Sequence, residues 1–364
     1  MFSDVYRGKK VLVTGHTGFK GSWLSQWLVK LGAEVVGFSK DVPTTPSLFE
    51  VLDLESCLAH NVGDIRDLPA LKMLVANEKP DFVFHLAAQA IVSTSYSDPV
   101  ETISTNVVGT MNVLEALRDV CHKCVVVMIT SDKCYENVEW LWGYKETDQL
   151  GGKDIYSGSK GAAELVIHSY QQSFYKQHEF VRIGTGRAGN VIGGGDWATD
   201  RIVVDTVTAW EKRQPVEIRC PEATRPWQHV LEPLSGYLRL GEDLWISDRS
   251  NHEAFNFGPS TPDTHKVTEL LTDMHNEWFY GVDDANQPYT ITANIPFNEA
   301  GLLKLNCDKA KFFLNWSSSL TYFETVKMIV SWYKSYYQNA VDIKILTNKQ
   351  ITFFEERYLH VAKR

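Results

Sequence analysis

Thr14-Gly15-His16-Thr17-Gly18-Phe19-Lys20-Gly21-Ser22-Trp23 follows directly on the apolar run Val11-Leu12-Val13 and opens a stretch in which Trp23, Leu24, Trp27, Leu28 and Leu31 recur at helical spacing. A strand, a glycine turn and an amphipathic helix in that order predict a turn whose backbone can lie against a phosphate, because the helix N-terminus offers unpaired N–H groups to an anion. Gly15 fits the sharp turn, Gly18 the close approach of a pyrophosphate, and Gly21 the packing of helix on strand. The spacing G-x-x-G-x-x-G therefore points to a dinucleotide site rather than to a merely tight connection.

Working outward, Glu34–Phe38 reads as a second strand, a third precedes Gly63-Asp64-Ile65, and Asp81–Leu86 is a fourth. Ile103, Val107, Met111, Leu114 and Leu117 mark a helix, Cys124–Thr130 a strand, Ser157 to about Lys176 a helix and Phe180–Ile183 a strand. Strands alternating with long helices predict an α/β fold with a doubly wound parallel sheet of Rossmann type. Beyond about Arg187 the alternation stops and Gly189–Arg201 brings Gly, Asp, Trp and Arg together. Helical patterns return at Arg201–Glu211 and Leu302–Tyr337, and Ala254–Gly258 reads as a strand that can rejoin the first sheet. We therefore expect a cofactor domain over 1–187, with about 226–258 rejoining it. A smaller, non-contiguous α/β substrate domain is expected over 188–225 and 259–340, then a tail over 341–364 whose Ile351, Phe354 and Tyr358 can pack on the body or on a neighbouring subunit.

Composition bounds the partners. The 364 residues are 44% apolar and 22% charged with a formal net charge of −9, which argues against nucleic acid or an anionic membrane as a general partner. The longest apolar runs fall far short of the roughly 20 residues a membrane helix needs. Met1–Lys10 is polar, so we expect no signal peptide. Cys57, Cys121, Cys124, Cys134, Cys220 and Cys307 are irregularly scattered, the pattern of free thiols in a reducing compartment, and we expect a cytoplasmic protein. Cys121-His122-Lys123-Cys124 has the spacing of half a zinc site with no second pair, so both cysteines are read as buried structural thiols and no metal is expected.

Tyr156-Ser-Gly-Ser-Lys160 sets a phenol and an ammonium one helical turn apart on one face. A tyrosine serves as a base near neutrality only where positive charge favours its phenolate; Lys160 and a cationic nicotinamide can supply it, and Lys160 can also hold the nicotinamide ribose. Upstream, the apolar strand runs out into Thr130-Ser131-Asp132-Lys133, with Ser131 suited to bond a substrate hydroxyl. After the second strand, where an acid usually holds the adenine ribose, stand Ser39, Lys40 and Asp41. Lys40 would suit a 2′-phosphate and Ser39 or Asp41 a free ribose, so these residues leave NAD and NADP both open. Asp64 can meet the adenine amino group. Ala87 and Ala88, in His85-Leu-Ala-Ala-Gln89, leave room for the cofactor, and His85 reads as a packed strand residue.

Together, Gly15–Gly21, His85–Gln89, Thr130–Lys133, Tyr156–Lys160 and Arg187-Ala-Gly-Asn190 resemble the extended short-chain dehydrogenase/reductase family of nucleotide-sugar enzymes. The stretches Gly15–Trp23, Thr130–Asn137 and Gly193–Trp197 are similar to its branch of 4,6-dehydratases acting on CDP-glucose. The resemblance implies a redox-neutral lyase with NAD as cofactor: oxidation at C4, loss of water across C5 and C6, and reduction at C6, within 3,6-dideoxyhexose and O-antigen lipopolysaccharide synthesis. It implies Ser131, Asp132, Lys133, Tyr156 and Lys160 as catalytic, with Asp132 the acid at C6 and Lys133 the base at C5. The related dTDP-glucose and GDP-mannose dehydratases carry Glu where this chain has Lys133. Thr17, Phe19, Ile65, Leu86 and Asn106 would join the cofactor wall. Gln89, Asn190, Asp196, Arg201, Arg219, Arg225 and Asn256 would hold the substrate, Arg225 at its pyrophosphate. A homo-oligomer, dimer or tetramer, is what the family implies. The competing readings are a dTDP-glucose or GDP-mannose dehydratase, a 4-epimerase, which needs no acid and base at C5 and C6, and a non-catalytic dinucleotide sensor on the same fold.

Overall fold

A computed structural model of the chain describes residues 2–259, 264–281, 287–292 and 302–362. Its centre is a parallel sheet of strands β1 (Lys10–Thr14), β2 (Glu34–Ser39), β3 (Ala59–Val62), β4 (Phe82–His85), β5 (Cys124–Ile129) and β6 (Val181–Ala188), with Ala254–Phe257 as a further edge strand beside β6. The spatial order is β3-β2-β1-β4-β5-β6 and then Ala254–Phe257. The order reverses between β1 and β4, and the crevice at that switch point is where such sheets bind ligands.

Both faces of the sheet are covered, which is why its strands read as continuous apolar runs. Val11, Val13, Phe82, Phe84, Val125 and Val127 face a core that includes Trp23, Trp27 and Leu238. Leu12, Val36, Val83, Val126 and Met128 face a second core with Leu71, Leu114 and Ile167. Strand β6 runs beyond the Phe180–Ile183 read from the sequence because Gly184 and Gly186 lie under the helix Leu231–Ile246. A Cβ at Gly186 would stand 2.8 Å from the Tyr237 ring. The glycines that end the apolar signal let that helix pack.

Three local readings are corrected. The helix carrying Tyr156 begins at Ile155, two residues early, because Asp154 caps it by accepting from the Ser157 N–H at 2.9 Å. The apolar stripe from Ile103 is not buried at its start, since Ile103 is 40% exposed. Residues Ser104–Gly109 form a π-turn that rotates the face and points Asn106 inward. Cys121 is exposed while Cys124 is buried; the former sits at the strand's entry loop, where alternation no longer aims it at the core.

The tail forms the helix Ile343–Ala362, and it packs on this chain's own body: Ile351, Phe354 and Tyr358 are buried with Trp27 and Phe2. Burying Ile351 and Phe354 stabilises by about 1.5–3 kcal/mol each. The pattern from Leu302 to Tyr337 resolves into two helices, Asp308–Leu314 and Tyr322–Tyr337, the second opened by a Thr321/Glu324 capping box. Among the described residues no helix is long and apolar enough to cross a membrane.

Candidate active site

At the switch point a cleft of about 790 Å³ runs from Ser39 and Asp64 at one end to Asp132, Asp196 and Arg201 at the other. The glycine turn after β1 forms one wall and starts helix α1 (Phe19–Lys30). Its three glycines have different causes. Gly15 has φ +78° and a Cβ there would lie 2.7 Å from the Ala87 amide nitrogen; at Gly21 it would lie 2.0 Å from the Gly15 carbonyl oxygen. At Gly18 the same test finds only the Gly15 oxygen at 3.4 Å. Chain packing thus accounts for Gly15 and Gly21, whereas the space over Gly18 is open to the cleft, the cradle a phosphate group fits. His85 is structural: its ring lies between the Thr14 hydroxyl at 2.7 Å and the Thr110 hydroxyl at 3.1 Å, and burial lowers it to about 3, hence neutral.

At the adenosine end, the Ser39 hydroxyl bonds the His16 ring at 2.8 Å, and the His16 ring meets His60 at 2.7 Å. Burial brings His16 down to about 4, with His60 adding to the effect, so the His16 ring is uncharged near neutrality. The Thr17 hydroxyl donates to the Asp41 carbonyl at 2.6 Å. Lys40 pairs with Glu101 at 3.3 Å, and Arg66 bonds Glu101 and both oxygens of Asp64. Lys40 therefore already has a carboxylate partner, shared with Arg66. Asp64 lines the cleft, its carboxyl held below the usual range by the Arg66 hydrogen bonds. Ile65, Leu86, Ala87, Ala88, Thr17 and Phe19 line the cleft as well.

At the other end, β5 delivers Ser131 as the cap of a short turn over Asp132–Cys134. The Ser131 Oγ accepts from the Lys133 N–H at 3.2 Å and donates to Asp132 Oδ1 at 3.0 Å. Burial raises Asp132, against the pull of Lys133, so its carboxyl holds a proton more readily than an exposed one. Gly189 covers it: a Cβ there would stand 2.9 Å from Asp132 Oδ2. Tyr156 and Lys160 occupy one face of their helix, with Lys160 Nζ 5.8 Å from the Tyr156 ring centroid. Burial pushes Tyr156 up to about 12 and brings Lys160 down to about 8. Arg201 and a Ser131 hydrogen bond work against the rise at Tyr156, and Asp132 adds to it. In the free protein, then, Arg201 rather than Lys160 is the main positive influence on the phenol.

Beneath this end lies a buried network. Arg187 bonds Glu164 through Nε at 2.9 Å and Nη2 at 2.8 Å, Thr130 donates to the same carboxylate, and Arg187 Nη1 donates to the Tyr135 hydroxyl at 2.8 Å. Glu164 is one turn beyond Lys160 and Thr130 immediately precedes Ser131, so the bond between them ties the helix of Tyr156 and Lys160 to the end of β5.

The substrate set divides. Gln89, Asn190, Asp196 and Arg201 line the cleft; Asp196 accepts from the Ala198 N–H at 3.0 Å and is raised by burial against the pull of Arg201. Arg219 and Arg225 do not line it. Arg225 stands on a two-residue strand paired with His265–Lys266 and donates to the Thr224 carbonyl at 3.0 Å. Asn256 is fully buried with its side chain bonded to Tyr135, Tyr144 and Asn306, so it braces the protein instead of facing a ligand. Asn106 likewise lies behind the wall, bonding both backbone groups of Gln89 and the Ser159 hydroxyl. Sequence reasoning passed over Lys20, which lines the cleft. Lys20 is a cation within the glycine turn, and that was its available signal.

Comparison with known proteins agrees with this geometry. The family model described as GDP-mannose 4,6 dehydratase matches residues 12–329. The CDP-glucose 4,6-dehydratase of Salmonella typhimurium (strain LT2) is 45% identical over 96% of this chain and 97% of its own length. The dTDP-glucose 4,6-dehydratase 1 of Escherichia coli (strain K12) is 30% identical over 45% of this chain and 51% of its own. Among solved structures, the epimerase Mth375 of Methanothermobacter thermautotrophicus superposes with a TM-score of 0.78 at 23% identity, covering 93% of this chain and 96% of that one. A dTDP-glucose 4,6-dehydratase of Bacillus anthracis str. Ames in complex with NAD gives 0.74 at 19% identity, covering 90% and 97%. These two share the fold. The seven-stranded parallel sheet, the glycine turn at its switch point and a family match spanning most of the sequence lead to one assignment: the chain belongs to the GDP-mannose 4,6 dehydratase family.

Proposed function

We propose that the protein is an NAD-dependent hydro-lyase that converts CDP-D-glucose to CDP-4-dehydro-6-deoxy-D-glucose. The observation that carries the reaction is the meeting of Tyr156 and Lys160 with Asp132 and Lys133 in one cleft, an oxidising pair beside an acid and a base. The relative at 45% identity supports CDP-glucose as the substrate. The Lys40–Glu101 pair favours NAD over its 2′-phosphate, since the cation a phosphate would want is already engaged.

A dinucleotide held over Gly18 and beside Tyr156 and Lys160 would supply the hydride acceptor for C4 of the sugar and the hydride donor for C6. Tyr156 removes the proton of the C4 hydroxyl as the ketone forms, with Ser131 bonding that oxygen and Arg201 easing the phenolate charge. The ketone makes the C5 hydrogen acidic. Lys133 takes that proton while Asp132 protonates the departing C6 hydroxyl, and water leaves. The raised proton affinity of Asp132 suits a donor. Lys133 then returns a proton to C5 as C6 is reduced. A 4-epimerase would leave Asp132 and Lys133 without a task. Incubation with CDP-, dTDP- and GDP-sugars, followed by alkali to reveal the absorbance of a 4-keto product, tests the reading; no product from CDP-glucose would refute it.

The same reading has the enzyme in the cytoplasm, consistent with its free cysteines, and as a homo-oligomer, dimer or tetramer. Val100 and Leu165, 76% and 58% exposed, are apolar residues a second copy would cover. A one-chain mass in light scattering would dismiss the oligomer. Glu164, Arg187, Asn106 and Asn256 act as braces for the site in this scheme and touch no ligand.

A further inference from the structure

Lys20 is the second residue of α1, one step from the open space over Gly18, and its side chain lines the cleft. It keeps access to the cleft's own solvent yet is enclosed by the walls, and this desolvation, with Arg201 opposing it further, brings the ammonium down to about 8. Asp132 and Asp196 act on it only through their fields. Among the described residues its Nζ has no hydrogen-bond or ion-pair partner. The charges near this end are unbalanced: Lys20, Lys160 and Arg201 line the same cleft as Asp132 and Asp196, and both carboxyls are raised towards their neutral forms. A hexose is uncharged and cannot balance them. Helix α1, twelve residues long, presents its first-turn N–H groups at the same place, and its cap residue Gly18 has no side chain to bond them.

We propose that Lys20 is a cofactor-binding residue whose ammonium pairs with the pyrophosphate of the dinucleotide. This rests on the dinucleotide reading above and extends it. The glycine turn supplies backbone donors to the phosphates, and Lys20 adds a full charge beside them. The nucleotide-sugar substrate also carries a pyrophosphate, so the choice between the two anions has to be read directly.

The test is binding, not turnover. Dissociation constants of NAD⁺, ADP-ribose, adenosine and CDP are measured by calorimetry on the whole protein and on Lys20→Met and Lys20→Arg. Lys20→Met is expected to weaken NAD⁺ and ADP-ribose at least tenfold and to leave adenosine and CDP within twofold; Lys20→Arg should recover most of the loss. Unchanged adenosine binding also certifies that the methionine variant is folded, and if that variant does not fold, Lys20→Gln takes its place. ADP-ribose binding equal to that of the unaltered protein would overturn the proposal, and so would a loss confined to CDP, which would hand Lys20 to the substrate. Failure of CDP-glucose as a substrate would leave these constants untouched, so the two readings fail separately.

Discussion

Gly18→Ala separates folding from binding in the glycine turn. Gly18 has φ −73° and ψ 167°, a conformation open to any residue, and an added Cβ meets only the Gly15 carbonyl oxygen at 3.4 Å. The turn can give by a tenth or two of an ångström there, while the unfolded chain loses conformational freedom worth about 0.4–1 kcal/mol. The net change in stability should stay within about 1 kcal/mol. For a ligand the methyl intrudes where a phosphate would lie against the backbone, and overpacking of that kind costs about 1–3 kcal/mol. At about 1.4 kcal/mol per decade this weakens the dinucleotide by about 5- to 150-fold. Gly21→Ala, whose Cβ would sit 2.0 Å from the Gly15 oxygen, should instead compromise folding outright. Thermal unfolding and NAD⁺ calorimetry on both variants check this. A Gly18→Ala protein that binds NAD⁺ as tightly as its parent would show that no phosphate approaches Gly18, and one as unstable as Gly21→Ala would show that the space is not open.

Two further outcomes follow from the catalytic end. Lys133→Met should abolish dehydration of CDP-glucose while a partial absorbance of reduced cofactor persists in single turnover; undiminished turnover removes Lys133 from the mechanism. Glu164 raises the proton affinity of Lys160, which burial brings to about 8, so kcat/KM should fall as pH rises through that value if the ammonium is needed. Glu164→Gln takes away a negative charge, lowers Lys160 further and should move this basic limb to lower pH. A limb unmoved in a variant that still folds would mean that Lys160 does not set it.

Helices and strands were legible where a face repeats along the chain. The glycine turn, β5 and the Tyr156/Lys160 pair needed only neighbours in sequence, because an i,i+4 relation or a strand-to-helix turn is fixed locally. The stripe starting at Ile103 misled because a π-turn changes the period, and β6 was cut short because its glycines are demanded by Leu240 and Tyr237, more than fifty residues away. Asp132 and Lys133 were found because they leave the end of a strand that itself was clear. That Arg225 and Asn256 lie outside the lining of the cleft was not legible, since matching a motif tells which residue type stands at a position and not which way the surrounding segments turn it.

The sequence by itself determined the parallel sheet and the glycine turn at its switch point, and it offered Ser131, Asp132, Lys133, Tyr156 and Lys160 as candidates for chemistry, all properties written in short stretches of chain. Only the tertiary structure decided that Asp64 is held by Arg66, that Lys40 is taken by Glu101, that the tail covers Trp27 and that Lys20 faces the cleft without a partner. The last three depend on residues far apart in sequence meeting, and burial, which shifts the proton affinity of Asp132, Tyr156 and Lys160, exists only once those segments have closed around them.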